Sequence, residues 1–571
     1  MAVEPERTHM RQIQGMPLPL GITVQNDKVN FSVAVPEGKE CKLLIYPSGT
    51  DVPCESFSMK DTLGEVRYLA LEDLDLESYE YNYEIDGTIM VDPYVRTLTG
   101  KEKWGKEVNL QKHEVRGKLS ERTYDWEGDT PLQIPYHDVV AYSLHVRGFT
   151  KDACSKVKKK GTFEGVIEKI PYLKELGINQ IHCMPVYEFE ECGLYRNYWG
   201  YGAAYCFVPK SAYSADGDGV KSLKDMVKAC HKAGIEVVLE MPFDARIPKQ
   251  LMEECLRYYM MEYHIDGFIV NPSVAPIEGI RQDPILKKTK IMYHQTGFQN
   301  VMRRFLKGDE GMVPDVMYWL RHTSAGEGSF NYITNQTGFT LNDLVSYDGK
   351  HNEKNGENNR DGTEYNFSWN CGAEGPSRKK EVLDLRKRQI RNAYFLTILA
   401  QGTPCLLAGD EFGNSQKGNN NVYCQDNPIG WVNWRKLDKE PELHEFVKKL
   451  IQIRRKYKVF CPAREMQGTD KIGCGMPDVS YHGENAWRTP SEVSSRQIGV
   501  YYSGLASGED DCYVVYNMHW LEHTFALPSL PKDKKWYLLI STDEDEESTK
   551  CLKNQRCIEL KARTIAVIIG R

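Results

Sequence analysis

Between residues 138 and 412 the chain alternates apolar, strand-like runs with amphipathic helical stretches, and this alternation strongly limits the folds available to it. The expected strands are residues 139–146, 178–186, 235–243, 266–271, 290–295, 330–335 and 404–412. Helical patterns separate them, for example at 222–234 and 251–264. Repeated strand–helix units with near-continuous apolar strands indicate a parallel sheet that is covered on both faces. Their number predicts a TIM (β/α)8 barrel, with one more strand expected, weakly marked, after Arg303.

Short alternating strands without intervening helices flank this region on both sides. Residues 29–35, 41–47 and 79–86 alternate apolar and polar residues between turn-forming residues, which is typical of a β-sandwich. After a helical pattern at 443–457, strands return at 498–504, 511–518, 535–541 and 564–570. A chain of 571 residues is too long for one hydrophobic core. We therefore predict an N-terminal β-sandwich at 1–125, the barrel at 126–460 and a C-terminal antiparallel β-sandwich at 461–571.

Composition excludes several classes of partner and location. A formal net charge of −7 argues against nucleic acid or an anionic membrane as the main partner, because both require a basic surface. The first 20 residues contain no apolar run of the secretory type, and the most apolar stretch, 395–409, is interrupted by Gln401, Gly402 and Pro404. The 16 cysteines include no C-x-x-C pair and are expected to be reduced thiols. The expected location is the cytoplasm.

Three strings carry the functional signal. NYWGYG at 197–202 follows the second predicted barrel strand, a long polar stretch occupies 338–376, and QGTPCLLAGDEFGNSQKGNNNVYCQDN at 401–427 closes the barrel. These strings closely resemble the isoamylases and bacterial glycogen-debranching enzymes of the α-amylase superfamily. The resemblance runs from PLG at 19–21 to the last sandwich. It implies a carbohydrate-binding-like module, a glycoside-hydrolase barrel whose relatives hydrolyse α-1,6 branch points, and no cofactor.

The family's two main catalytic carboxylates are not where the resemblance implies them. Retaining glycoside hydrolysis needs one carboxylate as nucleophile and a second carboxylic acid that protonates the leaving oxygen. The fourth strand, GFIVN, has Ile269 at the family's Arg position and Asn271 at the nucleophile. The fifth strand, KIMYHQT, has His294 at the acid position, within one or two residues.

The remaining positions of the family's site are also changed. After the seventh strand, Gln336 and Thr337 replace a His-Asp pair, so that the third carboxylate is missing. The third strand, EMPFDA, has Glu240, Asp244 and Ala245 at the family's Asp, Asn and His positions. None of the family's catalytic residues is therefore expected to be intact. Because the loss of one essential group already lowers catalysis by orders of magnitude, hydrolase activity is expected to be lost. The loops after the third and fifth strands are short, which predicts a shallow, wet depression at the barrel mouth.

A few residues near this mouth keep a candidate role in substrate binding. Tyr201 matches the family tyrosine that stacks under the reacting sugar, and Trp199 lies beside it; the alternative is packing at the barrel rim. Glu240 and Asp244 could form a relocated carboxylate pair. We expect instead that both are structural: Glu240 is bonded to neighbouring strand ends, and Asp244 caps a turn. His294 is expected to be a satisfied polar residue. No cluster of His, Cys or carboxylate residues has metal-ligand spacing, so no metal is predicted.

We therefore predict a debranching-type protein that has lost hydrolase activity and acts as an α-glucan-binding or regulatory pseudoenzyme. The resemblance implies glycogen, starch or a maltooligosaccharide as the ligand and an active debranching paralogue as a protein partner. Two alternatives stay open at this point. One is an active α-1,6-glucosidase with a rearranged site that uses Glu240 and Asp244, and the other is an interaction subunit without glucan affinity.

Overall fold

The computed structural model describes residues 10–25, 27–119, 123–323, 328–505, 507–543 and 549–571. Its centre is a parallel barrel built from the buried apolar runs. In spatial order the strands are Lys290–Met292, Gly267–Ile269, Glu236–Glu240, Gln180–Cys183, Ala141–Leu144 and Cys405–Leu407. Alternate residues face opposite sides: Val238 and Ile269 belong to the interior cluster, whereas Val237 and Leu239 pack with the surrounding helices. The TIM-barrel architecture is confirmed.

The ring is closed by the segment that follows Gly328. Tyr293 forms a parallel bridge to Ser329, and Asn331 forms one to Pro404, so this segment lies between the fifth strand and the last. The strand expected after Arg303 is not found among the described residues. Arg303 instead lies inside the helix Thr296–Lys307, whose apolar face packs into the core and which is followed by a second helix, Val313–Arg321.

The N-terminal region forms two antiparallel sheets around a core that includes Phe31, Leu43, Leu69, Tyr81 and Tyr83. The first sheet contains Arg11–Ile13, Gly21–Gln25, Lys28–Ala34, Asp61–Leu63 and Val66–Glu72. The second contains Cys41–Pro47, Glu55–Ser58, Tyr79–Ile85, Thr88–Met90, Leu98–Thr99 and Arg116–Lys118. The flanking β domains of the prediction are confirmed, while the boundary at 125 stays a prediction, as does the one at 460.

The C-terminal region is also antiparallel. Its larger sheet contains Val479–His482, Gln497–Tyr502, Asp511–Asn517, Trp536–Ser541, Lys550–Cys551 and Thr564–Gly570, and the smaller contains His523–Ala526 and Cys557–Leu560. One face of the larger sheet, including Val500 and Val514, shares a continuous core with the barrel helices. This domain is therefore fixed to the barrel by apolar packing.

Helices surround the barrel strands. The α-helices are Val146–Thr150, Phe163–Leu176, Gly219–Lys232, Lys249–Tyr263, Ile277–Gln282, Thr296–Lys307, Val313–Arg321, Leu341–Leu344, Lys380–Ile398, Arg435–Lys439 and Pro441–Lys456. Within the described ranges, none of them has the length and apolar character that crossing a bilayer requires. A hairpin of Tyr187–Phe189 and Ala204–Pro209 follows the second barrel strand and carries the NYWGYG string in its connection.

Candidate functional site

Glu240 ends the third barrel strand, and its buried carboxylate is the centre of a hydrogen-bonded group. The Tyr201 hydroxyl donates to Glu240 Oε1 over 2.9 Å. The Gln336 amide donates to both carboxylate oxygens, at 3.4 and 3.2 Å, and to the Tyr201 hydroxyl at 3.1 Å. The end of the third strand and the segment that closes the ring therefore meet at one carboxylate.

Tyr201 reaches this carboxylate because its loop is shaped by the preceding residues. The Asn197 side chain accepts a hydrogen bond from the Gly200 amide and donates one to the Tyr201 carbonyl. Gly200 has a φ of 88°, and an added Cβ would lie 2.5 Å from the Phe189 ring, so this turn requires glycine. Burial, together with the charge of Glu240, raises the pKa of Tyr201 well above its usual value. The phenol is therefore a hydrogen-bond donor at neutral pH.

His294 lies beside the same carboxylate, with 3.4 Å between its Nε2 and Glu240 Oε1. Neither ring nitrogen makes a hydrogen bond with the described residues, and both are shielded from solvent. The ring packs edge-on against Phe330 and Tyr332. The ring therefore has one close polar contact, to the Glu240 carboxylate, and the expectation of a satisfied polar residue at this strand end stays a prediction.

The other substituted positions do not join this group. Ile269 is 3% exposed and belongs to the apolar barrel interior. Asn271 is exposed and its side-chain oxygen accepts from the Ser273 amide, which shapes a turn. Thr337 and Ala245 are exposed, and Thr337 donates to its neighbour Asn335.

Asp244 lies in the short turn after the third strand and is bound by its own neighbour. Arg246 donates from its backbone amide and from its guanidinium Nε and Nη2, each over 2.8 Å. These hydrogen bonds lower the pKa of Asp244 to about 2. The geometry matches the expectation that Asp244 caps a turn, and no contact with Glu240 is present among the described residues.

Trp199 is 6% exposed and packs edge-on against Tyr201 and Tyr423. It lines, together with Gln336, a cavity of about 50 Å³ at the mouth of the barrel. This volume holds a few water molecules and is far below the ~300–1,000 Å³ of usual small-molecule sites. The expected shallow, wet depression is therefore largely filled by side chains at this point.

Further polar residues lie inside the barrel, below the mouth. They were not among the predicted site residues. His182 Nε2 donates to the Gln180 amide oxygen over 2.7 Å, and the Cys405 thiol lies 3.6 Å from His182 Nδ1. Burial, with the nearby His294, lowers the pKa of His182 to about 3, so the ring is neutral at ordinary pH. The alternating polar positions in QIHC at 180–183 were the available signal, because alternate residues of a barrel strand point inward.

The sequence analysis also did not predict a buried ion pair beside the mouth. Asp426 accepts from Arg147 Nε and Nη2, at 2.9 and 3.0 Å, and from the indole nitrogens of Trp104 and Trp431, at 2.7 and 2.9 Å. The Arg147 guanidinium also lies 4.5 Å from the Trp104 ring. Burial raises the pKa of Asp426, but Arg147 outweighs it and the net pKa is lowered. This pair joins a residue near the end of the first strand to the 401–427 string.

The described side chains contain no group of three His, Cys, Asp or Glu residues that could hold a metal ion. The chemistry available at the mouth is therefore that of one carboxylate, one phenol, one amide and one imidazole. A carboxylate fixed by a phenol and an amide can accept hydrogen bonds from a hydroxyl ligand, but it has no second carboxylate in its hydrogen-bonded group.

Comparisons with known proteins agree with the sequence resemblance. Residues 144–244 match the family model described as alpha amylase, catalytic domain. A "Glycogen operon protein GlgX homolog" of Haemophilus influenzae is 30% identical over 66% of this chain and 74% of its own length. "Isoamylase 1, chloroplastic" of Oryza sativa subsp. japonica is 28% identical over 95% of this chain and 84% of its own length.

Solved structures support the same architecture. The pullulanase from Paenibacillus barengoltzii, in complex with maltohexaose and α-cyclodextrin, superposes with a TM-score of 0.74 at 17% identity, covering 96% of this chain and 95% of that one. The catalytic module of the glycogen-degrading pneumococcal virulence factor SpuA gives a TM-score of 0.74 at 16% identity and 97% coverage of both chains. At this identity the likeness concerns the fold. Together with the sequence relatives, these findings show that the chain belongs to the isoamylase and glycogen-debranching branch of the α-amylase superfamily.

Proposed function

We propose that this protein is a non-hydrolytic member of its family that binds α-glucan and acts as an accessory or regulatory subunit. The observation that carries the proposal is the composition of the group at the barrel mouth. Among the described residues, Glu240 is the one carboxylate in the group that Tyr201 and Gln336 form with it by hydrogen bonds and that His294 approaches to 3.4 Å. Retaining glycosidases use two carboxyl groups about 5–5.5 Å apart, and inverting ones about 6.5–9.5 Å apart.

The state of Glu240 further supports this proposal. Tyr201 and Gln336 hold its oxygens by hydrogen bonds, so the carboxylate is engaged within the protein, and no second carboxylate shares its hydrogen-bonded group among the described residues. A nucleophile at the end of the fourth strand would have to be Asn271, whose amide is a poor nucleophile and whose oxygen is bonded within its own turn. The small cavity at the mouth also leaves little room for a glucosyl unit.

A different surface suits α-glucan binding. A cleft of about 970 Å³ lies between the N-terminal sandwich and the barrel, and it includes Tyr79 and Tyr124 and the hydroxyls of Ser48, Thr97 and Ser211. Tyrosine rings and hydroxyl groups are well suited to a polyol, because a pyranose offers both an apolar C–H face and hydrogen-bonding groups. The volume falls within the range of usual ligand sites.

Three lysines on the barrel side of this cleft are paired with carboxylates. Lys221 pairs with Asp225, Lys224 with Glu262 at 3.4 Å, and Lys228 with Glu127 at 3.0 Å. The lysines of this wall are therefore neutralised by neighbouring carboxylates. A glucan, which carries no charge, can bind there without displacing an ion pair.

The protein partner is proposed from the family resemblance, and the location from the absence of a secretory-type apolar run in the first 20 residues. An active debranching paralogue is the partner that a non-hydrolytic member would assist, and the cytoplasm is the proposed location of the complex. The chloroplastic isoamylases are plant proteins, so their location is not carried over to this chain. No nucleic acid and no membrane is included in the proposed function.

Affinity electrophoresis in native gels that contain glycogen tests the binding half of the proposal. Retardation of the protein is expected, and it should be reduced in Thr97→Val and in Tyr79→Ala, both of which line the cleft. Tyr365→Ala is the matched control, since Tyr365 is 79% exposed and lies outside the cleft. Mobility that glycogen leaves unaltered would favour an interaction subunit without glucan affinity.

The alternative of an active glucosidase rests on one observation, the 3.4 Å approach of His294 to Glu240, which could serve as an acid–base pair. Release of reducing ends from branched α-glucan that disappears in Glu240→Gln would support that alternative. The same experiment without detectable release would support the non-hydrolytic proposal.

A further inference from the structure

A second cavity lies at the N-terminal end of the barrel strands, opposite the mouth that holds Glu240. Its volume is about 220 Å³. Its polar lining comes from Tyr136, Arg281, Lys287, Lys288, Thr289 and Lys290. Lys290 begins the fifth barrel strand, and Lys287 and Lys288 end the short 3-10 helix that precedes it.

The charge of this cavity is unlike that of the whole protein. Four of its lining residues are cations and none is a carboxylate, although the chain has a net charge of −7. Lys290 is committed, because its ammonium donates to the buried Glu236 inside the barrel. Arg281, Lys287 and Lys288 are exposed and make no ion pair with any residue that the structure describes. Three uncompensated cations around one concavity create a local positive potential.

The backbone that presents these cations is firmly held. The buried carboxylate of Asp283 accepts from the Ile285 amide at 2.7 Å, from the Leu286 amide at 3.0 Å and from Arg257. Leu286 is fully buried beneath the turn. The backbone at Lys287 and Lys288 is therefore fixed, while their ammonium groups stay free to contact a ligand. Because this backbone is already ordered, binding does not have to order it.

Two hydroxyl groups add hydrogen-bonding capacity without negative charge. The side chains of Thr289 and Tyr136 line the cavity, and neither hydroxyl has a hydrogen-bond partner among the described residues. The Tyr136 ring also lies under the Lys290 ammonium, 5.6 Å away. The cavity therefore brings uncommitted cations and hydroxyl donors together.

We propose that this cavity is a binding site for a phosphate group, either free or carried by a small phosphorylated sugar. A phosphate dianion offers several acceptor oxygens and two charges, which match a set of separate Lys and Arg donors. A monocarboxylate would use only part of this set. The site is far from the Glu240 group along the barrel axis, and it does not depend on whether the protein binds α-glucan.

Isothermal titration at constant ionic strength tests the site with three probes: inorganic phosphate, glucose 1-phosphate and glucose. Phosphate or the sugar phosphate should bind to the unmodified protein, and glucose should not. The triple variant Arg281→Ala, Lys287→Ala, Lys288→Ala should weaken the binding at least about tenfold, since it removes the three uncompensated cations. Tighter binding of glucose 1-phosphate than of phosphate would identify the sugar phosphate as the ligand, and equal binding would identify the free ion.

The matched control removes the same charge elsewhere, with Lys60→Ala, Lys106→Ala and Lys532→Ala combined, because all three are exposed lysines outside this cavity. This control should bind the probes like the unmodified protein. All substituted side chains are exposed, and unchanged melting temperatures without ligand will show that both variants fold. Equal weakening in the two triple variants, unaffected binding in the cavity variant, or no binding of either phosphate probe would overturn the proposal.

Discussion

The Tyr201 hydroxyl donates a 2.9 Å hydrogen bond to the Glu240 carboxylate at the mouth of the barrel. The phenol belongs to the connection after the second strand and the carboxylate to the end of the third strand. Tyr201, which the family resemblance associates with sugar stacking, is therefore hydrogen-bonded to Glu240. The contact satisfies one oxygen of the buried Glu240 carboxylate and so offsets part of the cost of burying it.

Tyr201→Phe removes this donor and should lower the free energy of unfolding by about 1–3 kcal/mol, the usual effect of losing a hydrogen bond to a buried charged group. Urea unfolding followed by circular dichroism measures the change. Tyr365→Phe is the control and should have an effect close to zero, because that ring is 79% exposed. Equal stabilities of the two variants would show that the Tyr201–Glu240 contact contributes nothing.

Asp426→Ala should destabilise the protein by about 3–5 kcal/mol, because it leaves the buried Arg147 guanidinium without its charge partner. Thermal unfolding and denaturant titration both measure this loss. Asp438→Ala breaks an ion pair with Lys156 in which the side chains are 64% and 74% exposed, and should change stability by less than about 1 kcal/mol. A similar small effect at both positions would contradict the assigned role of Asp426.

Asp410 predicts a specific pH dependence of stability. Burial raises the pKa of Asp410 to about 8, although Thr334 and the Leu341 amide donate to its oxygens. The folded state therefore holds a proton that the unfolded chain, with a pKa near 3.8, has already released. Between about pH 4 and pH 8 this group makes the protein less stable as the pH rises.

Asp410→Asn keeps the shape and removes the titration, so the stability of the variant relative to the unmodified protein should increase as the pH rises from 4 to 8. The increase has an upper limit of about 1.4 kcal/mol per pH unit. Denaturant unfolding at several pH values measures it. A stability difference that is constant over this range would show that Asp410 does not hold a proton in the folded state.

The apolar periodicity predicted the TIM barrel and both flanking β domains, because buried parallel strands and alternating sandwich strands leave clear patterns. The segment around Arg303 was harder to predict. A strand was expected after Arg303 from the number of barrel units, but Arg303 lies near the end of an amphipathic helix and the next described element is the helix Val313–Arg321. Closure by the Tyr293–Ser329 and Asn331–Pro404 bridges depends on contacts distant in sequence.

The candidate site was predicted in part. The resemblance indicated Tyr201, Glu240, His294 and Gln336 as neighbours of one mouth, and the structure brings these four together. The sequence could not show that His294 is shielded without a hydrogen-bond partner among the described residues, since this depends on Phe330 and Tyr332 around it. The basic cavity was also missed, because the cations near residue 288 look like an ordinary solvated loop until their concave arrangement is seen.

The central claim, that the barrel carries no hydrolytic centre, is tested by measuring the reducing ends released from glycogen and amylopectin by the unmodified protein and by Glu240→Gln. Both proteins are expected to release no more reducing ends than a protein-free control, even in long incubations at high protein concentration. Hydrolysis by the unmodified protein that is abolished in Glu240→Gln would contradict it.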